Sequence, residues 1–197
     1  MSTPSLSRNA DFMKLWIGET ISLIGSAITS LALPLTALTL LHATPLDMGL
    51  LLACSAGANA VCGLFAGVWA DRLPQRALLL WSNLGQALIV AAIPLFFFLG
   101  MLGLPILFGA AVFTGILESI FSAAYPGFLT NLVGKGALVG ANSRFESSRV
   151  LATLLGSALS GLLIVLLSAP VALLIDAGSF LVAAFSIVLI ARHVRGA

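Results

Sequence analysis

The stretch MGLLLACSAGANAVCGLFAGVWA, residues 48–70, is followed directly by DRLPQR, residues 71–76. The first part contains no charged residue, and a helix of this length at 1.5 Å per residue crosses a hydrocarbon layer of about 30 Å. The second part adds one acidic residue and two arginines. An apolar span that ends in a basic loop is typical of a membrane helix whose basic end is held at the headgroups.

Five other stretches of the chain have the same apolar character. Apolar residues make up 60% of the sequence and charged residues 8%, whereas a soluble domain contains about 25% charged residues. The sequence therefore predicts an all-α membrane protein in which residues 1–197 form one bundle of six transmembrane helices. The predicted spans are residues 15–41, 48–70, 77–99, 105–129, 150–169 and 171–191.

The basic residues all fall on one side of this topology. The other three connections, around His42–Asp47, Gly100–Leu104 and Ser168–Pro170, contain no Lys or Arg. Because positive loops are retained in the cytoplasm, both termini are predicted to be cytoplasmic. The net charge of +2 then reflects topology and gives no reason to expect a nucleic-acid partner. The basic residues are Arg8, Lys14, Arg72, Arg76, Lys135, Arg144, Arg149, Arg192 and Arg195.

The connections between spans support two further predictions. Those without basic residues are short, which predicts that the helices they join are antiparallel neighbours. The segment Asn131–Ser148, between the fourth and fifth spans, mixes apolar and polar residues. It is predicted to lie partly in the membrane interface as a short amphipathic helix.

Residues typical of enzymes and metal sites do not come together in this sequence. Cys54 and Cys62 lie in one span, about 12 Å apart along its axis, and lack acidic or histidine neighbours, so they are interpreted as apolar fillers. His42 and His193 lie at membrane edges, and there is no Walker-type loop for ATP. We therefore predict no catalytic residue, no metal and no cofactor.

Small residues recur at helix-neighbour spacing in two spans. They allow membrane helices to approach closely, and their structural interpretation is tight packing. The alternative is that they form the sliding surfaces of a moving protein. The residues are Gly57, Gly63 and Gly67 in the second span, and Gly156, Ser160 and Gly161 in the fifth.

A weak internal repeat relates the first and fourth spans. Ser26–Pro34 aligns with Glu118–Pro126, with four identical residues among nine. The two spans run in opposite directions, so the alignment predicts a 3+3 inverted repeat, as in many secondary transporters. Chance similarity between two apolar segments remains the alternative.

Three carboxyl groups lie within predicted spans, where charge is costly and needs a reason. Glu118 is the deepest, roughly 20 Å from the outer end of its span, and Asp176 is about 9 Å from its outer end. Glu19 is close enough to the cytoplasmic headgroups to snorkel. Glu118 is the candidate proton or cation site; the alternatives are a neutral, hydrogen-bonded carboxyl and an ion pair, for which Arg149 is the candidate partner.

Polar residues form a stripe on each of two spans at helical spacing. The stripe on the fourth span predicts that Glu118 shares a face with neutral polar side chains, and the first span has a similar stripe. The residues are Thr114, Glu118, Ser122 and Tyr125 on the fourth span, and Glu19, Ser22, Ser26 and Thr29 on the first.

The segment from Gly67 to Arg76 resembles the loop motif of the major facilitator superfamily, G-x-x-x-D-R/K-x-G-R-R/K. Gly67, Asp71, Arg72 and Arg76 match if the spacing relaxes by one residue near the end. Two other positions depart from the motif, which makes the loop stiffer and less positive. They are Pro74, where the family has glycine, and Gln75, where it has the first of two basic residues.

Other stretches are similar to the drug-efflux branch of this superfamily and to its enterobactin-exporter-like group. They are Asn9–Trp16, Ser22–Gly25, Ala141–Asn142 and Pro170–Phe180. The resemblance covers essentially the whole chain, and it matches the N-terminal half of the usual twelve-helix fold.

The resemblance implies roles for particular residues. It places the two polar stripes and Arg149 at a central cavity, and it implies that Asp71 gates the cytoplasmic side by engaging a helix end of the C-terminal half. The alternative for Asp71 is a surface ion pair with Arg72 or Arg76. Asp176 occupies a commonly acidic position, with a structural or a coupling role.

The expected protein is the N-terminal half of a secondary transporter in a bacterial inner membrane, exporting a small amphipathic organic molecule by proton antiport. Glu118→Gln is expected to abolish pH-driven efflux, and Glu19→Gln to have a milder effect. A transport path requires a C-terminal half or a second copy, since the chain is expected to be a fragment or a half-size protein. The alternatives are an uptake transporter for a metabolite and a non-transporting membrane scaffold or regulatory subunit.

Overall fold

The computed structural model describes residues 6–190, and all six predicted spans are α-helices there. Each of the six is long and apolar enough to cross a membrane. The predicted all-α, six-helix class is therefore confirmed, while Arg192, His193 and Arg195 lie outside the described residues. The helices are α1 Ala10–Leu40, α2 Pro45–Arg72, α3 Gln75–Phe98, α4 Leu104–Val133, α5 Leu138–Leu167 and α6 Ala169–Val188, with 3-10 turns at Leu6–Arg8 and Lys135–Ala137.

Local sequence signals explain where several helices begin. The Asn9 side chain accepts a hydrogen bond from the Phe12 amide at 3.1 Å, which caps α1. Thr44 and Asp47 exchange hydrogen bonds in a capping box at α2, with Pro45 in the first turn. These caps hold the helix starts just outside the apolar spans.

The fifth helix begins much earlier than predicted. α4 continues to Val133 and ends at Gly134, whose φ of 76° favours glycine, and α5 begins at Leu138 rather than near residue 150. The predicted interfacial helix over Asn131–Ser148 is therefore wrong. The polar residues from position 138 onward belong to the first turns of α5, which extends beyond its apolar segment toward one end of the bundle.

The helices pair in a pattern that only partly follows their order in the chain. α1 packs mainly on α5 and α6, α4 mainly on α2 and α3, and α3 also packs on α6. Of the pairs joined by the short connections, α3 and α4 are extensive neighbours, whereas α1 touches α2 and α5 touches α6 only slightly. The pairing is symmetric between the two halves of the chain. The contacts of α1 with α5 and α6 correspond to those of α4 with α2 and α3, as expected for a 3+3 repeat. The repeat itself stays a prediction.

Two apolar clusters lie toward opposite ends of the bundle. One cluster contains Phe12, Leu79 and Phe128. The described Lys and Arg residues lie in the same half of the bundle as this cluster, so we call that end of the bundle the basic end. The other cluster contains Leu51 and Leu107 at the far end. Polar side chains lie between the clusters, and they define the site described below.

The small residues predicted to pack behave differently in the two spans. A Cβ added at Gly156 would collide with Ala27 of α1, and Ser160 donates a hydrogen bond to the Ala27 carbonyl at 3.4 Å. In α2, by contrast, a Cβ at Gly57 or Gly67 would meet no described residue within 4 Å. Tight packing therefore explains Gly156 and Ser160. It does not explain Gly161 of α5, where a Cβ would also meet no described residue, and at Gly63 of α2 a Cβ would only make ordinary contact with Ser119 Oγ at 3.5 Å.

Candidate functional site

A cavity of about 990 Å³ lies between the two apolar clusters and is lined by residues of all six helices. The carboxyl groups, polar stripes and arginine singled out in the sequence all reach it. Residues far apart in the chain therefore share one polar space inside an apolar bundle. These residues are Glu19, Ser22, Ser26, Thr29, Thr114, Glu118, Ser122, Tyr125, Arg149 and Asp176.

Asp176 is buried, and its carboxyl group joins α6 to α1. The Thr29 hydroxyl donates to Oδ2 at 2.5 Å, and the Ser179 hydroxyl lies 3.0 Å from Oδ1. No basic residue in the range 6–190 forms an ion pair with it. Asp176 therefore satisfies both carboxyl oxygens with hydroxyl groups, one from α1 and one from its own helix.

Glu19 is buried inside the bundle, with 7% of its surface exposed. Its Oε1 atom has no hydrogen-bond partner among the described residues, and the Asn83 amide of α3 lies beside the carboxyl group. The prediction that Glu19 snorkels to the headgroups is wrong. α1 begins at Ala10, earlier than predicted, so Glu19 lies more than two turns into the helix and faces the cavity.

Glu118 is exposed to the cavity rather than buried among helices. Thr114, one turn away, donates to the Ala110 carbonyl instead of to Glu118. No ion pair involves Glu118 within the described part of the chain. Glu118 thus presents a carboxyl group to whatever fills the cavity.

Arg149 lines the cavity but does not pair with Glu118. Its Nε atom lies 3.8 Å from Glu146 Oε1 on the same helix, and both side chains are 66% exposed. An exposed pair of this kind contributes at most about 1 kcal/mol. The suggested Arg149–Glu118 ion pair is therefore not formed.

Aromatic residues form one apolar wall of the cavity. The Tyr125 ring stacks on Phe121 with centroids 5.5 Å apart and meets Phe145 edge-on at 5.3 Å. The Tyr125 hydroxyl is buried without a hydrogen-bond partner among the described residues. Like Glu19 Oε1, it is a polar atom at the cavity that a ligand or water would satisfy.

Several polar lining residues were missed in the sequence, among them Asn83 and Gln86 of α3, and Asn142 and Glu146 of α5. The two amides of α3 are three residues apart in an otherwise apolar span, which was a visible signal. Those of α5 were hidden because the segment was assigned to a connection rather than to a helix.

The motif Gly67–Arg76 lies at the basic end, where its charged residues form no ion pair with one another. Asp71 and Arg72 are exposed, and Asp71 pairs with neither Arg72 nor Arg76. The Arg76 guanidinium instead donates to the Val188 carbonyl at the end of α6, at 2.9 Å. The surface ion pair considered for Asp71 is therefore absent from the described structure.

Other contacts fix the surroundings of the motif. Lys14 also reaches the end of α6, where it donates to the Leu189 carbonyl at 2.9 Å. Two cations thus lie at the negative end of the α6 dipole. Gln75, where the motif has a basic residue, accepts a hydrogen bond from Asn131 of α4 at 3.2 Å. Neutral contacts therefore join α3 and α4 here.

Comparisons with known proteins agree with this architecture. The family profile described as Major Facilitator Superfamily matches residues 15–196. The uncharacterized MFS-type transporter YfiS of Bacillus subtilis (strain 168) is 30% identical over 187 residues, covering 93% of this chain and 43% of that protein. The chain thus spans less than half the length of this relative. No solved structure gave a significant match. The chain belongs to the major facilitator superfamily, a family of multi-pass membrane transporters.

Proposed function

We propose that this chain forms the N-terminal six helices of a secondary transporter that exports a small amphipathic organic molecule by proton antiport. The observation that carries the proposal is a cavity lined by all six helices, with polar groups held between two apolar clusters. Many secondary transporters bind substrate near the membrane midplane, between helices of related halves.

The chemistry of the cavity favours a neutral or cationic amphipathic substrate. Phe121, Tyr125 and Phe145 supply aromatic surface. Among the described residues, the lining contains four carboxyl groups and one guanidinium, which pairs with Glu146. A dianionic or phosphorylated substrate would meet net repulsion, because no cluster of basic side chains offsets these carboxyl groups.

Proton coupling is proposed to use the cavity carboxyl groups. Glu118 is open to the cavity, whereas Glu19 and Asp176 are buried beside it. A cationic substrate and a proton compete for an ionised carboxyl group, so binding of one releases the other. This exclusion is the minimum chemistry that antiport requires.

The second half of the transport path is proposed to be a C-terminal six-helix unit or a second copy. Large apolar side chains on α2 are uncovered, including Leu64 at 78% and Phe65 at 59% exposure. Asp71, exposed and without an ion-pair partner among residues 6–190, is available to engage a helix end of that second half. Such contact would close the basic end.

A binding experiment tests the proposed function directly. Purified chain is titrated with tetraphenylphosphonium, an amphipathic cation, while a pH indicator reports proton release. We expect saturable binding with proton release, both lost in Ser26→Trp, which fills the cavity, and retained in Leu64→Trp on the outer face. Absence of binding at every pH would favour the scaffold alternative.

Direction is tested with the transporter in cells. We expect cells that produce it with its second half to accumulate less of the cation than cells with the Ser26→Trp variant. Greater accumulation than in the variant would instead support the uptake alternative.

Orientation in the bacterial inner membrane is tested by labelling. In a background with Cys54 and Cys62 replaced, we expect His42→Cys to react with an impermeant thiol reagent from outside intact cells. Lys135→Cys, at the basic end, is expected to react only after the cells are opened. Labelling of Lys135→Cys in intact cells would reverse the proposed cytoplasmic position of the basic end.

A further inference from the structure

A second cleft, of about 270 Å³, lies between α1 and α5 at the basic end. Around α5, its residues lie on the side of the helix opposite Asn142, Arg149 and Thr153, which line the cavity. The cleft therefore opens toward the lateral surface of the bundle rather than into the cavity. Its lining residues are Trp16, Ser143, Arg144, Ser147, Ser148 and Leu151.

Arg144 brings a positive charge to this cleft, and no anionic partner for it lies among residues 6–190. The guanidinium is partly buried, and its side-chain neighbour is the thioether of Met13, with Nη1 and Sδ 3.9 Å apart. The ion pairs within residues 6–190 are Lys14–Asp11 and Arg149–Glu146, so neither neutralises it. A partly buried charge of this kind is stabilised by a counter-ion.

Trp16 supplies a second donor that no described residue satisfies. Its Nε1 atom is buried and has no acceptor among the described residues, although a buried indole N–H usually finds one. The hydroxyls of Ser147 and Ser148 add donors that can rotate toward a ligand, whereas the Ser143 hydroxyl already donates to the Val139 carbonyl at 2.9 Å. No carboxyl group lines the cleft, so its polar groups are all suited to an anion.

Apolar side chains flank these donors. Leu151 lies two turns after Arg144 on α5 and is 56% exposed, and Ile17, next to Trp16 on α1, is 49% exposed. Trp and Arg at the end of a membrane helix are typical of the headgroup region. The cleft thus combines a site for a phosphate group with an adjoining apolar surface for acyl chains.

We propose that this cleft binds the phosphate headgroup of an anionic phospholipid, with Arg144 and the Trp16 indole as its principal donors. The lipid acts as the counter-ion that Arg144 lacks, and its chains cover the outer faces of α1 and α5. A soluble phosphate would satisfy the donors but leave the apolar flank uncovered.

Tryptophan fluorescence gives a direct test. The chain has three tryptophans, and Trp69 and Trp81 are exposed, so Trp69→Phe/Trp81→Phe leaves Trp16 as the only one. The detergent-purified variant is titrated with phosphatidylglycerol, phosphatidylcholine or inorganic phosphate. We expect a saturable change in Trp16 emission with phosphatidylglycerol, and none with the other two at the same concentrations.

Variants in this single-tryptophan background identify the residues responsible. Arg144→Gln is expected to weaken the apparent affinity for phosphatidylglycerol about fivefold, the factor for one basic residue at an anionic lipid surface. Arg72→Gln, which removes an exposed arginine at the same end, is the matched control and should have no effect. Ser147→Asp, at an exposed position that tolerates substitution, should weaken binding by repulsion even if Arg144→Gln fails to fold.

Three outcomes would overturn the proposal. They are an equal response to phosphatidylcholine, an equal response to inorganic phosphate, and unchanged affinity in both Arg144→Gln and Ser147→Asp. The second of these would assign the cleft to a soluble anion instead.

Discussion

The two sides of the cavity are built differently. On the packed side, Gly18 and Gly25 let α1 approach α6 so closely that an added Cβ would collide with Ser186 or Ser179. On the open side, Glu118 of α4 is exposed, and Gly57 of α2 meets no described residue. Gly115 of α4 also lets α2 approach closely, since an added Cβ would collide with the Ser55 carbonyl. The open side therefore differs in leaving a carboxyl group and the outer face of α2 uncovered, which provides surface for a substrate or a second half.

Substitution at Gly25 is the strongest way to break this contrast. A Cβ there would lie 2.5 Å from Asp176 Oδ1 and would also collide with Ser179. We expect Gly25→Leu to abolish recovery of monodisperse protein, because the extra volume costs about 1–3 kcal/mol or more and separates α1 from α6. Size-exclusion chromatography in detergent measures this. Gly57→Leu is the control, and equal recovery of the two variants would contradict the distinction.

The exposed carboxyl group on the open side should dominate transport. In a complete transporter, Glu118→Gln is expected to reduce pH-driven efflux of a cation by at least about tenfold, a loss of about 1.4 kcal/mol in coupling, without lowering the thermal midpoint. Efflux from everted vesicles under an imposed pH gradient measures this. Wild-type efflux by Glu118→Gln would move the coupling site to Glu19, Asp176 or the second half.

The burial of Glu19 changes the effect on efflux that we expect of Glu19→Gln. The sequence placed Glu19 at the headgroups and predicted a mild effect, whereas the structure places it in the cavity with an unpaired oxygen. From the structure we expect Glu19→Gln to impair efflux clearly, by more than the mild effect predicted from the sequence but by less than Glu118→Gln. A mild phenotype in the same vesicle assay would support a purely structural role for Glu19.

Asp176 tests the hydrogen bonds of the packed side. Asp176→Leu leaves the Thr29 hydroxyl without its acceptor, so we expect a loss of about 1–3 kcal/mol in stability. Asp176→Asn keeps an acceptor and should lose less than half of that. Thermal unfolding in detergent measures both, and equal midpoints for the two variants would show that these hydrogen bonds contribute little.

The smallest effect is expected at the end of α6. Arg76→Gln removes a cation from the Val188 carbonyl, so stability should fall by about 0.3–1 kcal/mol, the usual contribution of a charge at a helix end. Arg72→Gln is the matched control, since Arg72 is exposed. A larger loss in Arg72→Gln than in Arg76→Gln would contradict the assigned contact.

The sequence by itself determined the elements and the chemistry of the protein. Apolar segments of membrane-crossing length predict helices because backbone groups inside a bilayer must satisfy one another. Charged residues in such segments are rare, so Glu118 and Asp176 were conspicuous without any structure, and the two stripes were visible from their helical spacing. The family resemblance rested on local motifs, whose residues are close together in the sequence and can be recognised without a structure.

Only the tertiary structure decided which of these groups are buried and which helices are neighbours. The sequence placed Glu19 near the headgroups and Glu118 deep in its span, yet in the structure Glu19 is buried beside Asn83 of α3 while Glu118 is exposed, and both line the cavity. The short connection between α1 and α2 did not make them partners, because α1 packs on α5 and α6 instead. The burial of a side chain and the choice of neighbouring helices depend on how all six helices pack together. The pattern of residues along one helix does not contain that information.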